Sequence, residues 1–287
     1  MRRQLIVLLV VVVMLVFVGL LAACGGAPDG SPSGAGGTSD SGPLHVHGLG
    51  INPADEALVI ATHTGLFRAM PGEQRARRVG DLYQDTMGFT VVGPDRFLGS
   101  GHPDARADLP PLLGLIRSED GGSTWDPVSL LGEADFHVLR AAGRQVYGFD
   151  STKARFLVSG DGGRSWDERV PPDPLIDLAI DPRHAERIVG SGEAGLFTSR
   201  DAGRRWRRLS RDRAGLLAWA GALYLIDARG QVQRSGDSGR SWTSVGDVGG
   251  RPAAFASSDR ELIVALHDGT VKLSADGGRS WSVRVAL

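Results

Sequence analysis

Residues Ser159–Trp166 read SGDGGRSW, and the pattern recurs as SEDGGSTW from Ser118, SRDAGRRW from Ser199, SGDSGRSW from Ser235 and SADGGRSW from Ser274. The closing tryptophans, Trp125, Trp166, Trp206, Trp242 and Trp281, stand 36 to 41 residues apart. That period fits one four-stranded propeller blade. The residue types suit a hairpin: Asp accepts hydrogen bonds from turn amides, Gly takes a positive φ, and Trp packs between sheets. A sixth, eroded copy precedes these. TGLFRAMPGEQRARRV from Thr64 overlays AGLFTSRDAGRRWRRL from Ala194, and GINPADEALVIA from Gly50 overlays AIDPRHAERIVG from Ala179.

The octapeptide resembles the Asp box, or BNR repeat, Ser-x-Asp-x-Gly-x-Thr/Ser-Trp, of sialidases and other propellers. The resemblance implies an all-β, six-bladed β-propeller of four-stranded antiparallel blades, with approximate blade boundaries at 44–80, 81–131, 132–171, 172–211, 212–247 and 248–287. Each Asp box joins the third and fourth strands, so the boxes share one face of the disk. Asp120, Asp161, Asp201, Asp237 and Asp276 read as structural hairpin residues. The competing reading as calcium ligands lacks the further carboxylates of an EF-hand loop.

Ahead of the repeats, Arg2 and Arg3 precede an apolar run from Leu5 to Leu21 ending in LAAC. This is the order of a signal peptide, and its end resembles the lipobox of bacterial lipoproteins. Residues 1–23 are expected to be a lipoprotein signal peptide, and 24–43 a lipidated Cys24 followed by a flexible Gly/Ser/Pro linker. Residues 44–287 form the propeller. A twin-arginine signal and a retained membrane anchor are the alternatives. Cys24 is the only cysteine, which leaves no intrachain disulfide and no CxxC metal motif. The expected location is the extracytoplasmic side of the cell membrane, with the membrane as a partner through the lipid. With 32 basic and 33 acidic residues and no basic stripe with interleaved aromatics, nucleic acid is excluded as a partner. A monomer that takes a glycan or protein ligand is expected.

Aligning the blades places six of the seven histidines on the face opposite the Asp boxes, leaving His184 on the box face. The second strands end in His63, His102, Asp150, Glu193, Asp227 and His267, in blade order. The stretch LHVHGLG brings His45 and His47 to the start of the first strand of blade 1, and Met87 overlays His47 in blade 2. His137 stands near the start of blade 3. Because the ring closes, blades 6, 1 and 2 are neighbours. His45, His47, His63, Met87, His102 and His267 are therefore the candidate metal ligands. Imidazole with thioether in an extracytoplasmic protein suits copper first and zinc second. The bland alternative is turn chemistry at hairpin ends. A third reading is acid/base work by histidine.

The Asp-box resemblance lies in the scaffold and implies no activity by itself. Sialidases use an arginine triad, a Tyr nucleophile paired with Glu, and an Asp acid/base. The first arginine belongs in an Arg-Ile-Pro motif on the opening strand, where this chain has HVHGLGI, and no sialidase catalytic residue carries over. Tyr147 and Tyr224 lie inside second strands, whereas Tyr83 enters the histidine face near Asp81 and Asp85. These three, Asp81, Tyr83 and Asp85, are the catalytic candidates. A different glycosidase needs two spaced carboxylates, with Asp104 and Asp135 also on that face. HVHGLGINPADEALVIATHTGLF, with MGF, GHPD and YGFD, is also similar to a group of bacterial secreted Asp-box proteins often labelled glycosyl hydrolases. The functional expectation is a metal- or ligand-binding lipoprotein propeller, with a glycoside hydrolase or a propeller assembly factor as alternatives.

Overall fold

The computed structural model describes residues 45–258 and 260–287. The expected signal peptide, Cys24 and linker lie outside the described residues. Six four-stranded sheets follow one another along the chain, at 46–78, 85–129, 136–169, 177–210, 216–247 and 252–286, each written as four consecutive antiparallel strands. They bear out the six-bladed propeller. The first strand of each blade, such as Val46–Ile51 in blade 1, lies innermost and packs against the first strands of its two neighbours. The second strands are the most buried elements: Leu58–Thr62, Ala222–Ile226 and Leu262–Leu266 are buried at every position. A strand covered on both faces reads as a continuous apolar run, and LVIAT, ALYLI and LIVAL do so.

The octapeptides form the hairpins between third and fourth strands. In blade 3, Ser159 Oγ donates to Asp161 Oδ1 (2.7 Å) and accepts from Gly163 N (2.8 Å), while Asp161 Oδ1 also accepts from Arg164 N and Ser165 N. Ser165 Oγ donates to Asp161 Oδ2 at 2.6 Å. Blades 2, 5 and 6 repeat this scheme with small departures. Blade 4 has Arg205 in place of the hydroxyl residue and keeps only the serine and backbone contacts. Gly163, at φ 87°, has no room for a side chain, since a Cβ there would lie 2.0 Å from Leu115 Cδ2 of the preceding blade. The carboxylates are thus engaged by the turn itself.

Each box tryptophan fills the seam between its own blade and the preceding one. Trp166 sits 5.1 Å from the Phe136 ring in a core shared by blades 2 and 3, and Trp125, Trp206, Trp242 and Trp281 occupy the equivalent seams. The seam between blades 6 and 1 has Ala76 in that place. There the ring is closed instead by a core of Val46, Ile60, Phe67, Ala254, Ile263 and Val285. Arg284 adds to it, donating to the backbone carbonyls of Ala69, Met70 and Glu73. The sixth repeat is eroded at this seam, where Ala76 stands in place of the aromatic wedge.

Candidate functional site

On the face opposite the boxes, the inner strands share an irregularity. In blade 1, Val46 pairs with Thr62 and Gly48 with Ala61, leaving His47 as one extra residue. Met87 is the extra residue in blade 2, between Thr86 and Gly88, and His137 in blade 3, between Phe136 and Val138. Ala253 takes the same place in blade 6. Blades 4 and 5 pair without interruption there. A β-bulge re-aims its unpaired side chain, and all four bulge residues line one central cavity of about 830 Å³. Four successive blades, 6 to 3, therefore present Ala, His, Met and His to the same mouth. Gly101, opposite the blade 2 bulge, has φ 139°, and a Cβ there would lie 2.1 Å from the Asp85 carbonyl oxygen and 2.9 Å from the Met87 nitrogen. Only glycine lets the bulged strand approach this closely.

Around His47 the donors converge. One ligand atom each from His47, His63 and Asp85 lie within 4.8 Å of one another. The His47 and His63 rings are 4.3 Å apart at their centroids, and His63 Nδ1 is 2.8 Å from Asp85 Oδ1. His45, exposed and at φ 51°, brings its ring to 5.1 Å from His63. His47 Nε2 is buried and has no hydrogen-bond partner. Burial, followed by the neighbouring His63, His137 and His45, lowers the His47 pKa from 6.5 to about 4, with the Asp135 charge opposing. At neutral pH this imidazole is uncharged and one ring nitrogen offers a lone pair, the state a metal ion requires.

A second group adjoins the first. Asp85 pairs directly with His102 across the first two strands of blade 2. His102 Nε2 lies 3.6 Å from Asp135 Oδ2, and His137 Nε2 lies 2.9 Å from the same oxygen. His102 Nδ1 faces the Pro111 carbonyl at 2.8 Å, which anchors the ring to the long blade 2 loop.

The remaining candidates stand apart from the donor group. Met87 lines the cavity beside His47 and His137. His267 is exposed at the end of its strand in blade 6, its amide bonded to the Arg251 carbonyl. Asp81 is exposed and paired with Arg106. Tyr83 has the guanidinium of Arg78 3.9 Å from its ring centroid and that of Arg106 at 5.2 Å. Arg106 also grips Asp104 through Nε and Nη2, which holds that carboxyl well below the usual range; Asp104 in turn accepts the Tyr83 amide. Asp81, Tyr83, Asp104 and Arg106 thus form a self-contained loop anchor. Asp85, which the sequence places among the acid/base candidates, lies in the donor group. Asp135 and His137 were not among the expected ligands. Their signal is an overlay: HVHGLG, DTMGFT and DFHVLR start the inner strands of blades 1 to 3, with His45, Asp85 and Asp135 each two residues before a bulge donor.

No family model matches the sequence, and no curated protein matches it. Among solved structures, the chain is similar to the GH74 enzyme of Niastella koreensis (TM-score 0.60, 14% identity, 85% of this chain and 45% of that one). It is similar also to YCF48 from Cyanidioschyzon merolae (0.51, 13%, 85% of each chain). A chain of the nidogen/laminin complex gives 0.60 at 15%, covering 76% of this chain and 89% of that one. The chain spans less than half the length of the GH74 enzyme. These likenesses are of fold: the molecule is a six-bladed β-propeller with a histidine–carboxylate cluster at one mouth of its central cavity.

Proposed function

We propose that this protein is a membrane-tethered, extracytoplasmic propeller, lipidated at Cys24, that binds a transition-metal ion, copper or zinc, through His47, His63 and Asp85. The observation that supports it is the convergence of three donors from two blades on one point, together with a buried His47 Nε2 that lacks any partner. A buried polar atom left unsatisfied costs about 1–3 kcal/mol, and an ion there would offset that cost. Two nitrogens and one carboxylate oxygen suit Zn(II) or Cu(II). His45, with its ring 5.1 Å from that of His63, flanks the group as a further donor. Glycoside hydrolysis, the second reading, draws on the cavity and on the likeness to GH74. It needs a carboxylate pair free to act, whereas Asp104 is gripped by Arg106 and Asp177 by Arg140.

The test is metal content. The full chain, purified in detergent and stripped with a chelator, is incubated with Zn(II) or Cu(II), freed of excess ion and assayed by elemental analysis beside His47→Ala and His63→Ala. Bound metal in the parent and loss in both variants is the expected result. Equal content in all three proteins would remove the proposal.

A further inference from the structure

The densest charge on the chain lies away from the histidine mouth. Residues 200–213 hold seven arginines against two acids, Asp201 and Asp212, in a chain whose net charge is −1. The run comprises the Asp-box hairpin of blade 4, the outermost strand of that blade, Arg207–Ser210, and the residues that follow it. Arg200, Arg204, Arg205, Arg207, Arg208 and Arg211 are exposed. None of these six lies within ion-pair distance of a carboxylate among the described residues, whereas Arg169 of blade 3 and Arg187 of the same blade pair with Asp167 and Asp181. Asp201 is held by its own turn, accepting from Ser199 Oγ and the Arg205 amide.

The repeats supply an internal control. An arginine-rich composition spreads its arginines over all the boxes, and one position does so: Arg164, Arg204, Arg240 and Arg279 are equivalent. Arg200, Arg205, Arg207 and Arg208 have no such counterparts. The other four boxes carry Glu, Gly or Ala at the first of these positions, Ser or Thr at the second, and no basic residue at the last two. Arg205 also removes a bond. In blades 2, 3, 5 and 6 a hydroxyl at its position donates to the box carboxylate at 2.6 Å, and blade 4 has a cation there. A solvated edge that gives up a structural hydrogen bond to gather positive charge fits an anionic partner. Trp206, the one aromatic in the run, is packed into the core of the neighbouring seam, which leaves no ring on which a nucleobase could stack.

We propose that the rim of blade 4 docks on an anionic lipid surface. The arginines run along the outer edge of the blade, from the box hairpin on one face of the disk to Arg211 at the other end of the strand, so a planar bilayer meets them edge-on. Arg208 is held in place with its charge unneutralised: its guanidinium lies 4.7 Å from the Phe197 ring centroid and donates to the Ala194 carbonyl. The lipid proposed for Cys24 keeps the propeller within tens of ångströms of the membrane, and the rim then sets its orientation. Docked in this way, both mouths of the central cavity stay open and the histidine cluster faces along the membrane. The docking rests on that tether for proximity and on no part of the metal reading.

The test is an arginine footprint. The full chain is reconstituted in vesicles of phosphatidylcholine alone or of equal parts phosphatidylcholine and phosphatidylglycerol, modified with phenylglyoxal and mapped by mass spectrometry. An anionic surface is worth about fivefold in affinity per arginine, so modification across Arg200–Arg211 should slow at least about fivefold in the mixed vesicles. Arg279, in the box of blade 6, should react equally in both. Molar salt, which cuts the Debye length to about 3 Å, should abolish the protection. Arg200→Gln, Arg205→Gln, Arg207→Gln and Arg211→Gln combined, with a thermal melt to confirm folding, should return Arg208 to its rate in phosphatidylcholine; the salt arm decides if this variant does not fold. Equal modification in the two lipids would overturn the proposal. So would protection by soluble heparin with none by the mixed vesicles, which would assign the rim to an anionic polysaccharide. Flotation with phosphatidylcholine vesicles reports the tether separately. A chain that floats there but is unprotected in the mixed vesicles would refute the rim and keep the anchor, and one that fails to float but is protected by the mixed vesicles would refute the anchor and keep the rim.

Discussion

Replacing Ser159 with Ala tests whether the Asp boxes hold the fold through hydrogen bonds alone. The change removes a single oxygen, but that oxygen is buried and makes three hydrogen bonds: it accepts from Gly163 N at 2.8 Å and from Asp161 N at 3.2 Å, and donates to Asp161 Oδ1 at 2.7 Å. The Asp161 bonds are open to water and are replaced by solvent at little cost. The Gly163 amide is enclosed, and no water reaches it once Oγ is gone. A stranded buried donor costs about 1–3 kcal/mol. For a domain of this size each kcal/mol moves the melting temperature by about 2–4 °C, so a fall of about 2–12 °C is expected in a thermal melt followed by circular dichroism. Ser118, Ser199, Ser235 and Ser274 make the same bond at 2.8 to 2.9 Å. Alanine at each should cost a similar amount. A shift below about 1 °C at all five would refute the reasoning, as would a calcium-dependent melt of the parent, because the boxes would then be ion sites.

Three other outcomes follow from the same structure. Arg140→Ala strands the buried Asp177 carboxylate, which retains only the amides of Leu178 and Leu217. The cost in urea unfolding is about 3 kcal/mol at neutral pH. Burial holds the folded Asp177 pKa above its ordinary value; with the arginine gone, the folded state keeps its proton to still higher pH, so the loss shrinks as pH falls, and a pH-independent cost would contradict the assignment. Metal-free parent protein should lose stability as pH drops from about 6.5 towards about 4, because His47 has a folded pKa near 4 and the unfolded chain takes up the proton first. The box aspartates, with pKa values held below 3.8 by their hydrogen bonds, extend the loss further into acid. His47→Gln should flatten the upper part of that profile, and an unchanged slope would show that His47 is not the group involved. Gly101→Ala drives a Cβ to within 2.1 Å of the Asp85 carbonyl. It should reduce metal retention beyond any loss of folding, as judged by ion content normalised to the folded fraction; full retention would show that the bulge does not set the site.

The scaffold was legible because its signal is local and repeated. The octapeptide fixes a hairpin through its own side chains, and five copies at blade spacing leave little freedom in the architecture. The histidine face was legible for the same reason, since end-of-strand residues line up once blades are aligned. Convergence was harder to read. His47, Met87 and His137 reach the cavity through bulges, and a bulge is a mismatch between two strands that neither strand displays alone. His267 shares the strand-end position of His63 but lacks a donor on its own inner strand, where blade 6 has Ala253. Asp85 reads as an acid in its own blade because the imidazole it meets, that of His63, belongs to another. Asp135 was visible only as a loop carboxylate; what distinguishes it is the pair of imidazoles, His102 and His137, that face one of its oxygens.

Anomalous diffraction from crystals of the full chain loaded with Zn(II) or Cu(II), collected on both sides of the metal edge, tests the central claim most directly. The expected result is a peak among His47 Nε2, His63 and Asp85, with ligand distances of about 2.0–2.2 Å, that disappears in His47→Ala. A peak confined to the Asp-box face, or a map with none at the histidine mouth, would contradict it.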